Sequence, residues 1–483
     1  MKENRLRAGA CALGVAAVVA LSGATVSLAA PSPQGGAARA EHARVVAHWT
    51  AERLAAAIPR DLVIDERGHG YLKKPDGSFE PYGHAVAAGT TSPKPMAKPG
   101  GDTTGPSVSA LDPSNKTIGS SYTFKATVTD ASGIRSVSFR VGPANGTQQS
   151  FTASASGDVY SVQLSGFTNG PWTWSVVAKD KANNTTTTTA SFTVDTAGGG
   201  GGGGDVVTNS PWTANSTVTE AAGRIYFEMP SNSRLTRWAG YVCSGTVVTD
   251  GVSGRSVIQT AAHCVYDDAY KAFARNVLFI PNQAFSGTAT DRDCGNDKYG
   301  CWTPAFGVVD TDWTTRTFPD NVAWDYAYYV VNDTGAHSGN GGGNNLVLDA
   351  TTGAIGVNFG TPTPPASGDT RTHALGYSYS DDPQFMYCAE GLASLDAVNW
   401  WLGSCGLSGG ASGGPWMLPI DSGNGTLVSV NSWGYTNQPG MAGPKLNNGS
   451  AQCIFNAAKD ATKTPFPTST PADGTAGFTP TGC

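Results

Sequence analysis

Seven consecutive glycines, Gly198–Gly204, interrupt this chain. Glycine loses more conformational freedom on folding than any other residue, and a run without side chains has nothing to bury, so it reads as a flexible tether. A phosphate-cradling loop would need a Gly-Lys-Ser or Gly-Lys-Thr ending with a helix opening behind it, and neither follows. The shorter run Gly341–Gly343 reads the same way, as a surface loop. The 483 residues are therefore expected to fold in pieces, two to four domains by length.

Charged residues make up only 14% of the chain, while 62 Gly and 29 Pro form nearly a fifth of it, a balance that favours strands and turns over long helices. With 31 basic against 37 acidic side chains the formal charge is −6, so no basic field exists to hold a polyanion and nucleic acid is excluded as a partner. The 39% hydrophobic content and 12 Trp supply enough apolar surface for real cores.

Lys2, Arg5 and Arg7 precede an apolar run from Ala8 that ends in small residues at Ser27 to Ala30, the pattern of a secretory leader over 1–30. Interior Gly and Ser and the Ala-Ala-Pro ending favour cleavage over a retained membrane anchor. Cys11 leaves with the leader, and Cys243, Cys264, Cys294, Cys301, Cys388, Cys405, Cys453 and Cys483 remain. An even set suits an exported, oxidised protein, and all eight lie in the C-terminal part. No CxxC pair occurs and no His sits at ligand spacing from a Cys pair, so zinc is not expected. Eight cysteines allow 105 pairings; nearness in sequence suggests Cys294 with Cys301, Cys388 with Cys405 and Cys453 with Cys483.

Residues 31–104 hold an amphipathic helical segment around Val46 to Ala57 and then Gly and Pro punctuation, with too few apolar residues for a core of their own. They read as a pro-segment and linker, in which His48, His69 and His84 are surface residues. From 105 to 196 the pattern switches to period two: Tyr122, Phe124, Ala126 and Val128, then Val137, Phe139 and Val141, then Tyr160, Val162 and Leu164, then Trp172, Trp174, Val176 and Ala178. Roughly seven short strands separated by Ser, Asn and Gly turns imply a β-sandwich. The runs at 129–134 and 178–184 resemble bacterial immunoglobulin-like modules. Without cysteines or a charged cluster, this module is equally a spacer or a binding unit. A glycine-rich linker at 197–205 follows.

Residues 206–483, about 280, carry the chemistry. Ser412 sits in Gly410-Ala-Ser-Gly-Gly414, a GxSxG match shared by unrelated hydrolases. An α/β hydrolase would need its His after the nucleophile, and none occurs after His373. The base must come first, from His263, His337 or His373. His337, in a Ser and Gly loop, reads as solvated, and His373 as flanking a strand.

His263 lies in Val257-Ile-Gln-Thr-Ala-Ala-His-Cys264, and here the chain resembles the trypsin-like (chymotrypsin-family) serine peptidases, whose general-base His sits in Thr-Ala-Ala-His-Cys. The resemblance pairs Cys243 with Cys264. It implies an orienting acid between the His and the Ser. Asp325, the one acid in Val322-Ala-Trp-Asp-Tyr-Ala-Tyr-Tyr-Val330, is that candidate, since a carboxylate among Trp and Tyr is costly unless partnered. Asp310, Asp312 and Asp320, in more polar surroundings, are weaker candidates. The amides of Gly410 and Ser412 would form the oxyanion hole. Val430-Asn-Ser-Trp-Gly434 resembles the strand that pairs with substrate, with Ser432, Trp433 and Gly434 lining the pocket.

Three departures bear on mechanism. Ala411 stands where the family usually has the Asp that receives a new N-terminal amine, and Gly240-Tyr-Val-Cys-Ser-Gly-Thr-Val-Val248 looks closer to the glutamyl-endopeptidase-like branch, which also lacks it. Arg224-Ile225 looks like an activation point, yet 223–227 reads better as a first strand. No acid lies at the pocket base near Gly406, and Asn431 replaces the His usual in the glutamate-specific branch, so an uncharged residue is expected before the scissile bond.

These readings give an all-β chain, a two-barrel chymotrypsin-like protease domain behind an immunoglobulin-like β-sandwich. The expected protein is a secreted, monomeric serine endopeptidase that acts on proteins or peptides with no cofactor and no membrane contact after loss of its leader. A non-catalytic extracellular binding protein on the same fold is the competing class.

Overall fold

A computed structural model describes residues 33–83, 104–194, 206–460, 462 and 477–483, except 115, 116, 120, 145, 166, 286–290, 344, 422 and 423. The leader, the glycine run 198–204 and His84 lie outside the described residues. The chain is mostly β-sheet with few helices.

Residues 107–194 form two facing sheets. One has four strands, Ser154–Ser156, Val159–Ser165, Ser121–Thr129 and Ser107–Asp112 in that order. The other has five, Thr117–Ile118, Thr185–Val194, Gly170–Asp180, Ile134–Pro143 and Gln149–Thr152. The alternation seen in the sequence is the burial pattern: Phe124, Ala126, Val128, Phe139, Trp174, Val176 and Phe192 meet between the sheets, with Trp174 Nε1 donating to the Pro113 carbonyl at 2.7 Å. The strands exceed the expected seven because the two- and three-residue segments 117–118 and 154–156 are too short to show a period.

Residues 206–483 build two further sheet systems. In the first, Arg275–Pro281, Ala222–Pro230, Trp238–Val248, Arg255–Thr260, Ala327–Asn332 and Phe306–Val309 neighbour one another in that order, each pair antiparallel. Arg224 lies inside the strand Ala222–Pro230, paired on both sides, so its backbone is a ladder rung. The second contains one sheet built from Val207–Pro211, Met386–Glu390, Thr372–Gly376, Pro415–Asp421 and Asn424–Val430, and another containing Asn399–Leu402, Met441–Pro444 and Trp433–Tyr435. All four disulfides take the expected pairing: Cys243–Cys264, Cys294–Cys301, Cys388–Cys405 and Cys453–Cys483.

The segment 33–83 has no core of its own and solves that shortage by docking. Its helices are Pro33–His48 and Ala51–Ala56. The single helix expected over 46–57 is broken because Thr50 caps a new start, accepting from the Arg53 amide, while Trp49 turns inward and donates to the Asn276 carbonyl at 2.6 Å. Val45, Trp49, Leu54 and Ala57 pack with Tyr226, Val242, Leu278 and Ile280. The strands Asp61–Ile64, Gly70–Lys73 and Phe79–Pro81 then extend the sheet of Trp433–Tyr435. Of its histidines, His48 is half-buried 3.2 Å from Glu228, and His69 is part-exposed beside Asp65. The surface assignment of His48 is thus corrected: the docked helix brings it against an acid.

Candidate active site

His263 and Asp325 are juxtaposed by strand pairing. Arg255–Thr260 and Ala327–Asn332 run antiparallel with Thr260 opposite Ala327, so the residues just beyond one strand's end meet those just before the other's start. His263 follows in a single turn, Ala262–Cys264, and Asp325 ends the turn Val322–Trp324. Asp325 Oδ1 accepts the His263 amide at 2.8 Å, and Oδ2 lies 2.7 Å from His263 Nδ1 and accepts Ser432 Oγ at 2.5 Å. Both side chains are 0% exposed. The partner that a buried carboxylate demands is therefore present three times over. Because Nδ1 faces a carboxylate, it carries the proton, which leaves Nε2 with a lone pair. Among the described residues Nε2 has no hydrogen-bond partner. The bridged sulfurs of Cys243 and Cys264 lie within 4.8 Å of a His263 ring nitrogen and wedge the ring.

Ser412 comes from the second sheet system, in the turn before Pro415–Asp421. It is tied across to the first: its carbonyl accepts the Ser244 amide at 2.7 Å. Gly413 has φ +79°, and a Cβ there would meet Thr260 Oγ1 at 2.1 Å, so only glycine lets the two systems touch here. Gly410, at φ +94°, lets the loop turn. Among the described residues neither the Gly410 nor the Ser412 amide is hydrogen-bonded, which leaves two donors for a developing oxyanion.

This loop is held by neutral groups. Ser244 Oγ donates to the Gly410 carbonyl and accepts the Tyr377 amide, both at 2.9 Å. Asn431 Nδ2 donates to the Ala411 carbonyl at 2.9 Å and to the Leu375 carbonyl at 2.8 Å, while its Oδ1 accepts Trp416 Nε1 at 2.8 Å. Ala411 is fully buried, and Gly376 faces it so closely that a Cβ there would lie 2.8 Å from Ala411. Arg224, also buried, pairs with Asp382 at 3.0 Å and donates to the Tyr377 carbonyl at 3.3 Å. Ser244 was not legible as a site residue, and Asn431 and Arg224 were read for other roles, because each acts by holding backbone that is remote in sequence.

Of the pocket candidates, Ser432 and Trp433 are buried and Gly434 half-buried. Their strand is already paired, in parallel, with residues 62–64. Ser412 Oγ likewise has a partner, the Arg60 carbonyl at 3.5 Å. His337 is fully buried, not solvated: the glycine loop closes over it, and its ring bonds the Tyr299, Asn340 and Gly343 carbonyls at 3.1 to 3.2 Å. His373 lies within the strand Thr372–Gly376, stacked on Tyr387. Asp310 caps the helix Thr311–Thr315, accepting the Asp312 amide at 2.8 Å.

No family model matches the chain, and no curated protein matches it. Among solved structures, CopC from Methylosinus trichosporium OB3b aligns at a TM-score of 0.16 and 12% identity, covering 18% of this chain and 91% of that one. The titin M10–obscurin-like 1 Ig complex gives 0.15 and 17%, covering 19% and 94%. Fibronectin(III)-like modules of Clostridium thermocellum CbhA give 0.15 and 13%, covering 36% and 86%. At these values the likenesses carry no argument about the fold or the activity.

Proposed function

We propose that the chain is a secreted serine endopeptidase of the trypsin-like kind, with residues 206–483 forming two packed β-barrels and residues 105–196 an immunoglobulin-like sandwich. The observation that carries this reading is the meeting of Asp325 and His263, hydrogen-bonded to each other beside the Cys243–Cys264 bridge, with the Ser412 carbonyl 3.9 Å from Cys264 Sγ and the Gly410 and Ser412 amides unpaired among the described residues. The four disulfides fit an oxidising, extracellular setting. No helix among the described residues is long and apolar enough to cross a membrane.

In this mechanism His263 Nε2 takes the proton of Ser412 Oγ as Oγ attacks the peptide carbonyl carbon. Asp325 stabilises the imidazolium, and the Gly410 and Ser412 amides bind the oxyanion. The imidazolium protonates the leaving amine, and water, activated by the same His, hydrolyses the acyl-enzyme. Gly406 at the pocket base, without an acid, fits uncharged side chains before the scissile bond.

The test is Ser412→Ala in processed enzyme, assayed on casein and with a fluorophosphonate probe. We expect complete loss of labelling and a fall of about 10⁶ in kcat, the precedent for removing such a nucleophile, with an unchanged melting transition. Turnover near wild type would assign the nucleophile elsewhere, and no turnover by either protein would favour the binding-protein alternative.

A further inference from the structure

We infer, resting on the peptidase reading, that residues 58–64 are a built-in inhibitor that lies in the substrate cleft backwards. Ile58 and Pro59 pair in parallel with Tyr241 and Val242, and Leu62 to Ile64 pair in parallel with Trp433 to Tyr435. Between these two ladders the chain crosses Ser412. A cut substrate must place its leaving amine over His263, which the Cys243–Cys264 bridge ties to the strand Trp238–Val248. Its leaving-group side therefore lies toward Tyr241 and its acyl side toward Trp433. Residues 58–64 run the other way, entering by Tyr241 and leaving by Tyr435.

Reversed polarity explains how a peptide can occupy the cleft and stay whole. The Arg60 carbonyl presents its oxygen, not its carbon, to Ser412 Oγ, which donates to it. That oxygen is on the nucleophile instead of under the Gly410 and Ser412 amides. The nitrogen of Asp61, the leaving group of that bond, follows Arg60 into the Leu62–Ile64 ladder on the acyl side, whereas a substrate's leaving nitrogen would head toward Tyr241. Contact is close enough that a Cβ on Gly409 would lie 2.7 Å from Asp61 Cβ and 2.8 Å from Pro59 Cβ.

A buried clasp closes the strap. Arg60, 1% exposed, donates to Asp267 Oδ2 and to Tyr82 Oη, each at 2.7 Å. Tyr82 Oη in turn donates to Asp268, whose other oxygen accepts the Phe318 amide at 2.7 Å and Asn321 Nδ2 at 3.0 Å. The two ends of the stretch 60–82 thus converge on one acidic pair just past His263. Removing Arg60 leaves Asp267 buried without its cation, a state relieved when the strap lifts and water enters.

The experiment compares full-length wild type with Arg60→Ala/Leu62→Asp, and with Val63→Pro as a second route that keeps both side chains. Fluorophosphonate labelling is read together with hydrogen exchange of the 62–64 region and the intact mass. We expect the variants to label at least about tenfold faster, with 62–64 unprotected and no cut within 58–64 in wild type. Equal, fast labelling of wild type and variants would overturn the inhibitor and leave the peptidase standing. Absent labelling in variants whose strap exchanges freely would sink the peptidase reading itself, and cleavage within 58–64 would show a forward-bound substrate.

Discussion

Asn431 occupies a position where the sequence suggested a specificity residue, and its surroundings show a different use. Its amide satisfies three buried groups on three segments: the carbonyls of Ala411 and Leu375 and the indole of Trp416. The loop around Ala411 is fixed by this neutral side chain and by Ser244. Asn431→Ala should destabilise the region 206–483 by about 3 kcal/mol, because it strands buried partners and removes packing. Ser244→Ala, which frees only the Gly410 carbonyl and Tyr377 amide, should lower kcat with little change in KM, and an unchanged kcat would show that the loop needs no such brace. His263, Asp325 and Ser412 were readable as candidates because nucleophile chemistry restricts residue type and neighbours. Ser244 and Arg60 were not, and Asn431 was read only as a specificity position, since a side chain that braces groups distant in sequence leaves no local pattern.

At the level of elements, the helix Pro33–His48 docks through a buried polar contact that titrates. His42 Nδ1 lies 2.9 Å from Thr303 Oγ1 and Nε2 lies 2.8 Å from Ser338 Oγ. Burial first, and then the facing His337, push its pKa down to about 4 from 6.5. Arg39, on the same helix, donates to Asn345 Oδ1 at 3.0 Å. The docked helix therefore holds His42 neutral, while the free helix would protonate it near the ordinary value. Docking is full above about pH 6.5 and weakens as the pH falls toward 4, by on the order of 3 kcal/mol. Hydrogen exchange over 36–48, corrected for intrinsic rates, should show protection at pH 7 that fades by pH 4.5, and His42→Gln should flatten the difference. Equal protection at both pH values in wild type would refute the coupling. This helix was only half visible in sequence: the apolar period was read over 46–57, but the break at Trp49 and Thr50 depends on a tertiary partner, the Asn276 carbonyl.

For the whole molecule, order in the chain and order in space disagree. The sandwich lies between the segment 33–83 and the region 206–483 in sequence, yet its buried cluster, built on Phe124, Phe139, Trp174 and Phe192, draws only on residues of the sandwich itself. The segment 33–83 instead contributes Leu62, Ile64, Leu72 and Tyr82 to the large cluster containing Val257, Tyr328 and Trp433, and Leu54 to the one containing Tyr226 and Leu278. The glycine run marks where a domain ends, but no single-residue signal reveals that the segment ahead of the sandwich belongs to the region behind it. Cooperative units follow shared cores. Calorimetry of the full chain should therefore resolve two transitions, one for the sandwich and one for residues 206–483 together with 33–83. Phe139→Ala, a deletion from the sandwich core costing about 3 to 5 kcal/mol, should lower only the first. Leu54→Ala, though it lies ahead of the sandwich, should lower only the second, by about 2 to 5 kcal/mol. A separate third transition moved by Leu54→Ala alone would mean that the N-terminal segment folds on its own, and the strap would then be a tethered module instead of part of the core of residues 206–483.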